Sequence, residues 1–251
     1  MSLIASHAAE SGHWYARNGD PTYKMLGANG KLRPTTLRDA RKHNLVPSVT
    51  TIINVAAKPG LDRWKQEQVL LAALTLPKVD AESDDEYISR ILDDSKDAAR
   101  SAADAGTDIH ASIEAFYRGE PRDRHQEHVQ GFHKALEGLF GMQPWAAERS
   151  FAHEAGFGGK LDLHAPGFVV DVKTKEFTDP SRVDGYDEHL MQLAAYRVGM
   201  GMPEARCANA FVSRSVPGLC VFKEWTQEEL QVGWKMFHSL LTFWQLKNNH
   251  Q

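Results

Sequence analysis

The run from Lys160 to Lys173, KLDLHAPGFVVDVK, constrains the fold of this chain more than any other stretch. Apolar and polar residues alternate on both sides of Pro166-Gly167, as they do in two antiparallel strands with one buried face. Centring the turn on Pro166-Gly167 sets Asp162 opposite Asp171, Leu163 opposite Val170 and Leu161 opposite Val172. Leu161, Leu163, Ala165, Phe168, Val170 and Val172 then form one apolar face, and Asp162, Asp171 and Lys173 share the other. Pro-Gly favours a type II turn, which fits hairpin twist poorly, so a longer loop or a bulge would slip this register. A hairpin with a solvated outer face explains the alternation but not the pairing. Asp162 against Asp171, and Lys160 against Lys173, place like charges across a ladder, which is destabilising. Converging carboxylates make sense around a hard divalent cation. A lysine beside them makes sense against a phosphate or a water losing its proton.

The flanking sequence predicts the setting of this hairpin. Turn residues between 13 and 34 (Asn18-Gly19-Asp20-Pro21, Gly27, Asn29-Gly30) suggest a short hairpin. Ser48 after Pro47 reads as a helix N-cap. Helical spacing runs through Leu61, Trp64, Val69 and Leu70, again from Asp84 to Ala103, and again from Gly106 to Tyr117. Val129, Phe132, Leu136, Leu139 and Phe140 mark a further helix. Strands are expected over Ala147–His153, Gly159–Ala165 and Phe168–Thr174. A helix over Glu188–Val198, strands at Cys207–Ser213 and Leu219–Glu224, and a helix from Gln227 complete the chain. The expectation is an α/β protein with a mixed central β-sheet flanked by helices and a helical N-terminal elaboration.

Composition narrows the class. The chain has 251 residues, 42% hydrophobic and 25% charged, with a formal charge of −4. That suits one globular domain: residues 1–104 as hairpin and helical elaboration, and 105–251 as core. Cys207 and Cys220 cannot make a disulfide framework and read as packing in a reduced, cytoplasmic setting. Met1 to Trp14 lacks the apolar stretch of a signal peptide, and no later run could span a bilayer, so no membrane association is expected. Charge is uneven: Lys31, Arg33, Arg38, Arg41 and Lys42 face only Asp39, whereas residues 80–97 are strongly acidic. The basic stretch could contact phosphates or be an ordinary solvated face. His125, His128 and His133 follow no common zinc spacing.

With these residues in place the chain resembles a known family. Gly158-Gly-Lys-Leu-Asp162 followed by Val170-Asp171-Val172-Lys173-Thr174 is similar to the D…(D/E)xK signature of the PD-(D/E)XK nucleases. It resembles in particular their RecB-like branch, which includes lambda-type phage exonucleases and the mitochondrial genome maintenance exonuclease. Gly106-Thr107-Asp108-Ile109-His110-Ala-Ser-Ile113-Glu114 resembles the family's GTxxHxxIE helix, and Gln192-Leu-Ala-Ala-Tyr196 its QxxxY motif. Pro47-Ser-Val-Thr-Thr-Ile52 with Pro59-Gly-Leu-Asp-Arg-Trp64 resembles the N-terminal segment of phage and mitochondrial members. The likeness spans roughly residues 45 to 200. Family members usually carry Glu where this chain has Asp171, a variant shared with the mitochondrial enzymes.

The resemblance implies a restriction-endonuclease-like core and Mg²⁺- or Mn²⁺-dependent hydrolysis of DNA. Asp162, Asp171 and Lys173 would be catalytic, and His110, Asp162, Asp171 and the Val172 carbonyl would hold one or two ions. Glu114, Glu148, Gln192, Tyr196 and Ser48, with the basic stretch, would support the site or contact DNA. Each also has an ordinary reading: His110 and Glu114 as a satisfied core pair, Gln192 and Tyr196 as the core's edge, Ser48 as a cap and Glu148 as a surface charge. The partner implied is single- or double-stranded DNA gripped by its phosphates, with little sequence preference. The family's iron–sulfur branch is excluded for want of four thiolates. An exonuclease of phage or bacterial replication, recombination or repair leads. An endonuclease on the same fold, or a DNA-binding module without catalysis, remains an alternative. A homo-oligomer is left open, and no residue argues for one.

Overall fold

Sequence-coded caps and turns set most element boundaries. The computed structural model describes residues 12–251, leaving out the side chains of 98–103, so much of the segment read above for a leader lies outside it. Strand β1 (Trp14–Tyr15) is followed by the hairpin β2 (Lys24–Leu26) and β3 (Leu32–Pro34). Helix α1 (Leu37–His43) starts on a reciprocal Thr36–Asp39 cap. Strand β4 (Val46–Pro47) pairs antiparallel with β1, and Ser48 caps α2 (Val49–Ile53). Helix α3 (Pro59–Thr75) leads to α4 (Asp84–Tyr117), which opens on a Ser83–Glu86 capping box.

Where the sequence suggests two helices broken near Gly106, α4 is one helix of 34 residues. Gly106 is spent on packing rather than on a break. A Cβ there would lie 2.3 Å from Thr174 Oγ1, so only glycine lets α4 press this closely on the following sheet. Helix α5 (Gln126–Phe140) lies beside α4.

The sheet then follows: β5 (Ala146–His153), β6 (Phe157–Ala165) and β7 (Phe168–Lys175), a single 3₁₀ turn (Pro180–Arg182), α6 (Asp187–Gly199), β8 (Arg206–Ser213), β9 (Cys220–Trp225) and α7 (Gln227–Asn248). The strands lie in sequence order, antiparallel except for β7 and β8, which are parallel and joined through α6. Both faces are covered. Ile109, Ile113, Phe132 and Leu136 from α4 and α5 pack with Leu163, Val170, Val172 and Ala210. On the other face Leu193 of α6 and Phe237 and Leu241 of α7 pack with Ile52, Phe157, Leu161 and Val169. The chain is therefore a mixed five-stranded sheet flanked by helices, as its pattern predicts. No helix among the described residues is long and apolar enough to cross a membrane.

The central hairpin departs from expectation beyond its turn. Pro166 and Gly167 make the two-residue link, with Gly167 at φ 79°, and Ala165–Phe168, His164–Val169 and Leu163–Val170 pair in the expected register. The ladder ends there. Asp162 and Asp171 are not cross-strand partners, nor are Leu161 and Val172, nor Lys160 and Lys173. Strand β6 continues along β5, where Lys160 pairs with Ser150, while β7 continues along β8, where Lys173 pairs with Phe211. Leu161 also parts company with Leu163, joining the α6–α7 side of the core instead of the α4–α5 side. The kink falls at Asp162. Across from it Glu148 takes the left-handed φ of 50°, and the β5–β6 pairing skips that one position. The two strands fork, and the like-charge pairs predicted for a continuous ladder never form.

Candidate active site

The fork leaves the Val172 N–H without a strand partner, and a carboxylate takes the place of the missing carbonyl. Val172 N–H donates to Asp162 Oδ2 at 2.8 Å. His110, one turn beyond Gly106 on α4, brings Nε2 to 3.1 Å from the same oxygen. Its Nδ1 lies 3.9 Å from Glu114 Oε2, beyond hydrogen-bond reach. Burial pulls the His110 pKa down. The hydrogen bond to Asp162 and the charges of Asp162, Asp171 and Glu114 outweigh it, holding the imidazole above its ordinary value. Burial likewise opposes ionisation of Asp162, but His110, Lys173 and the Val172 N–H keep its carboxyl below the usual range.

Asp171 is almost fully buried on the opposite face of β7 from Val172. Lys173 Nζ lies 2.9 Å from its Oδ1 and 2.8 Å from its Oδ2, and Asn209 Nδ2 donates to Oδ2 at 2.8 Å. Burial pushes the Asp171 carboxyl up against the pull of Lys173, and the neighbouring Asp162 adds to the push. Burial also works against the Lys173 charge, but Asp171 and Asp162 prevail and hold the ammonium above its ordinary pKa. Lys173 donates further to Gln192 Oε1 at 3.0 Å, and Gln192 Nε2 donates to Tyr196 Oη at 2.9 Å. The spacing of four that sets Gln192 and Tyr196 on one face of α6 thus builds a relay that fixes the lysine.

Two members of this network were not singled out from the sequence. Asn209, fully buried on β8, accepts from Trp225 Nε1 at 2.7 Å while it donates to Asp171. The available signal is Asn209 itself, the lone amide within the apolar run Cys-Ala-Asn-Ala-Phe-Val. A polar side chain in such a run must find a buried partner.

A second carboxylate pair adjoins the first site. Arg118 Nη1 lies 2.9 Å from Glu114 Oε1 and 2.6 Å from Glu148 Oε2, and Lys160 also bonds Glu148. Burial and the adjoining Glu148 push Glu114 up to about 7, so near neutrality the two carboxyls share a proton. A narrow cleft beside them is lined by His110, Glu114, Tyr117, Asp162 and Val172.

Other candidates sit apart. Ser48 Oγ caps α2, accepting from Thr51 N–H at 3.0 Å, and Ser48 bridges Gly158 through its backbone. Arg33 is forked onto Asp39 at 2.6 and 2.8 Å, and Arg41 bonds the Asn248 carbonyl. Lys31, Arg38 and Lys42 are exposed. Among the described residues no hydrogen bond or ion pair joins this basic stretch to the fork. The His125 and His128 rings meet edge to face at 5.3 Å, but His125 bonds Asp108, His133 bonds Tyr117, and the buried Nε2 of His128 has no partner among the described residues, so the three do not form one site. Cys207 and Cys220 are free thiols pushed up to about 12 by burial, as packing residues should be.

Among the described residues no three His, Cys, Asp or Glu side chains stand close enough together to hold a metal ion. His110 and Asp162 do meet, while Asp171 is held by Lys173 and Asn209. The donor chemistry still fits a hard divalent cation: carboxylate oxygens and one imidazole, with a buried carboxyl whose negative charge its surroundings disfavour.

No family model matches the chain, and no curated protein matches it. Among solved structures it is similar to a candidate exonuclease from Eubacterium rectale, at 13% identity and a TM-score of 0.41, covering 59% of this chain and 69% of that one. It is also similar to an alkaline exonuclease from Laribacter hongkongensis, at 11% identity and a TM-score of 0.38, covering 80% and 91%.

Proposed function

We propose that this chain is a divalent-metal-dependent deoxyribonuclease of the PD-(D/E)XK type, with the fork between β6 and β7 as its hydrolytic site and residues 105–251 as its catalytic core. One observation carries the reading. Asp162 interrupts its own strand pairing to meet His110, and the next residues of β7 set a buried aspartate against a lysine that a glutamine and a tyrosine hold in place. A purely structural hairpin has no use for a buried and a half-buried acid at a broken ladder. His110, Asp162, Asp171 and the Val172 carbonyl would hold Mg²⁺ or Mn²⁺. The bound cation would supply charge stabilisation at the phosphoryl oxygens and a water of lowered pKa.

The chain's own residues do the remaining work. Lys173, aimed by Gln192, donates its N–H bonds to the scissile phosphate and stabilises the charge that develops there. Asn209, anchored by Trp225, keeps Asp171 from turning away as Lys173 shifts between carboxylate and phosphate. Tyr196 holds Gln192 so that the lysine loses little freedom when substrate arrives. Glu114 and Glu148, with Arg118 and Lys160, brace the His110 side of the cleft.

An exonuclease acting at DNA ends is the leading form, with an endonuclease on the same fold as the alternative. Incubating the protein with linear and with covalently closed circular DNA, with Mg²⁺ or Mn²⁺ and with excess chelator, tests both levels. Cleavage of linear DNA alone, abolished by chelator and restored by either ion, is the expected result. Cleavage of the closed circle would make it an endonuclease, and robust cleavage in chelator would overturn the metal-dependent reading.

A further inference from the structure

Beyond Lys173, β7 carries a second lysine on the same face, about 7 Å further along at the usual strand rise. Lys175 Nζ pairs with no carboxylate among the described residues. It lies 4.5 Å from the ring centre of the buried Phe211 and 4.2 Å from that of Tyr186, and donates to the Asp184 carbonyl at 3.2 Å. The ammonium thus lies within cation–π range of two aromatic rings. The outer ring, Tyr186, is 59% exposed. A large aromatic so exposed, with a cation 4.2 Å from its ring centre, is unusual as mere packing.

The loop holding Tyr186 is tied down by packing and hydrogen bonds. Gly185 lies flat on Trp225, where a Cβ would come within 2.4 Å of the indole, and its N–H bonds Asp184 Oδ1 at 2.7 Å. Tyr186 N–H donates to His189 Nδ1 at 3.1 Å, and the Tyr186 and His189 rings lie 5.3 Å apart. Trp225 is the same indole that orients Asn209 behind Asp171, so the loop and the fork share a support. Lys58 pairs with Glu188 at 2.9 Å beside this loop, offsetting one of its acids. Lys173 and Lys175 stand two residues apart on β7, and Lys58 reaches α6 through Glu188, so three ammoniums lie on the elements that border this loop.

We infer that Tyr186 is a stacking platform for one nucleobase of a single DNA strand whose backbone follows Lys173 and Lys175 into the fork. The inference rests on the nuclease reading for the identity of the ligand. Preformed aromatic faces beside a cationic track are how proteins hold single strands without reading sequence, because every base has a π-face and a rigid ring loses little entropy. A paired base inside a duplex offers no free face, so the platform selects a frayed or single-stranded segment.

The test is binding of a short fluorescein-labelled oligothymidylate to the full chain in chelator, by anisotropy at fixed salt, with a matched duplex alongside. Tyr186→Ala should weaken binding of the single strand by about tenfold or more, and Tyr186→Phe should stay within about twofold of the parent. Duplex binding should change little in either variant. An abasic site moved along the oligonucleotide should reveal one position whose loss weakens the parent protein but not Tyr186→Ala. That signature cannot arise from a merely structural role, and thermal melts of both variants confirm folding. Unchanged affinity in Tyr186→Ala, or an abasic penalty that persists in it, overturns the platform. Cleavage of the same DNAs by the parent protein with Mg²⁺ or Mn²⁺ separates the two readings. Cleavage alongside normal Tyr186→Ala binding overturns the platform alone, whereas neither binding nor cleavage of any DNA overturns both.

Discussion

At the residue scale, the fork places opposite charges where their removal should have opposite effects on DNA. Asp171 is buried against Lys173 and confronts the position proposed for a phosphate. Asp171→Asn removes one negative charge and leaves Lys173 free to meet the backbone. Without metal, DNA affinity should hold or rise severalfold, while cleavage is lost. Anisotropy titrations in chelator, paired with cleavage assays in Mn²⁺, check both halves. Weaker metal-free binding in Asp171→Asn would show that the carboxylate does not face the substrate. Much of this site was legible in the sequence: Asp171 and Lys173 share a strand spacing of two, Gln192 and Tyr196 a helical spacing of four, and His110 stands out through its likeness to a family motif. Asn209 and Trp225 were not, since their roles depend on β8 and β9 lying beside β7, a pairing that no local pattern encodes.

At the element scale, the strands and helices follow alternation, spacing and caps closely, and the differences have tertiary causes. Gly106 looks like a helix boundary because glycine is a poor helix former. In the fold it is a contact point, and α4 passes through it unbroken to carry His110 over the sheet. Gly106→Ala should therefore destabilise the protein by about 1–3 kcal/mol despite alanine's better helix propensity, because its Cβ would collide with Thr174. Thr174→Ala in the same chain should recover much of that loss. Urea unfolding of the single and double variants measures it, and a more stable Gly106→Ala would contradict the close approach. The fork was illegible for a related reason. Turn chemistry settles register near Pro166-Gly167, but where the ladder ends depends on β5 drawing β6 away and β8 holding β7.

At the scale of the whole molecule, protonation ties stability to the α6 side of the sheet. His189 is buried against Phe211, and burial together with the Lys173 and Lys175 charges lowers its pKa to about 4 from an ordinary 6.5. Its Nδ1 accepts the Tyr186 N–H, so the folded protein needs the neutral ring. Between those two pH values the unfolded chain takes up a proton that the folded chain refuses. The contribution is thus complete above about pH 6.5 and lost as pH falls toward 4. After allowance for screening it amounts to on the order of 2 kcal/mol. His189→Asn, which keeps an acceptor, should flatten that part of the pH–stability curve. An identical curve in the variant would show that His189 titrates normally.

Lys173 joins the parts of the proposed site: its ammonium links the buried Asp171, the Gln192–Tyr196 relay and the proposed phosphate position. Single-turnover cleavage of labelled linear DNA in Mn²⁺ by Lys173→Ala, with folding checked by a thermal melt, measures that claim. The rate should fall by about 10²-fold or more while the protein stays folded and DNA affinity weakens only modestly. A folded Lys173→Ala that cuts DNA at a near-normal rate would contradict the assignment of the fork as the hydrolytic site.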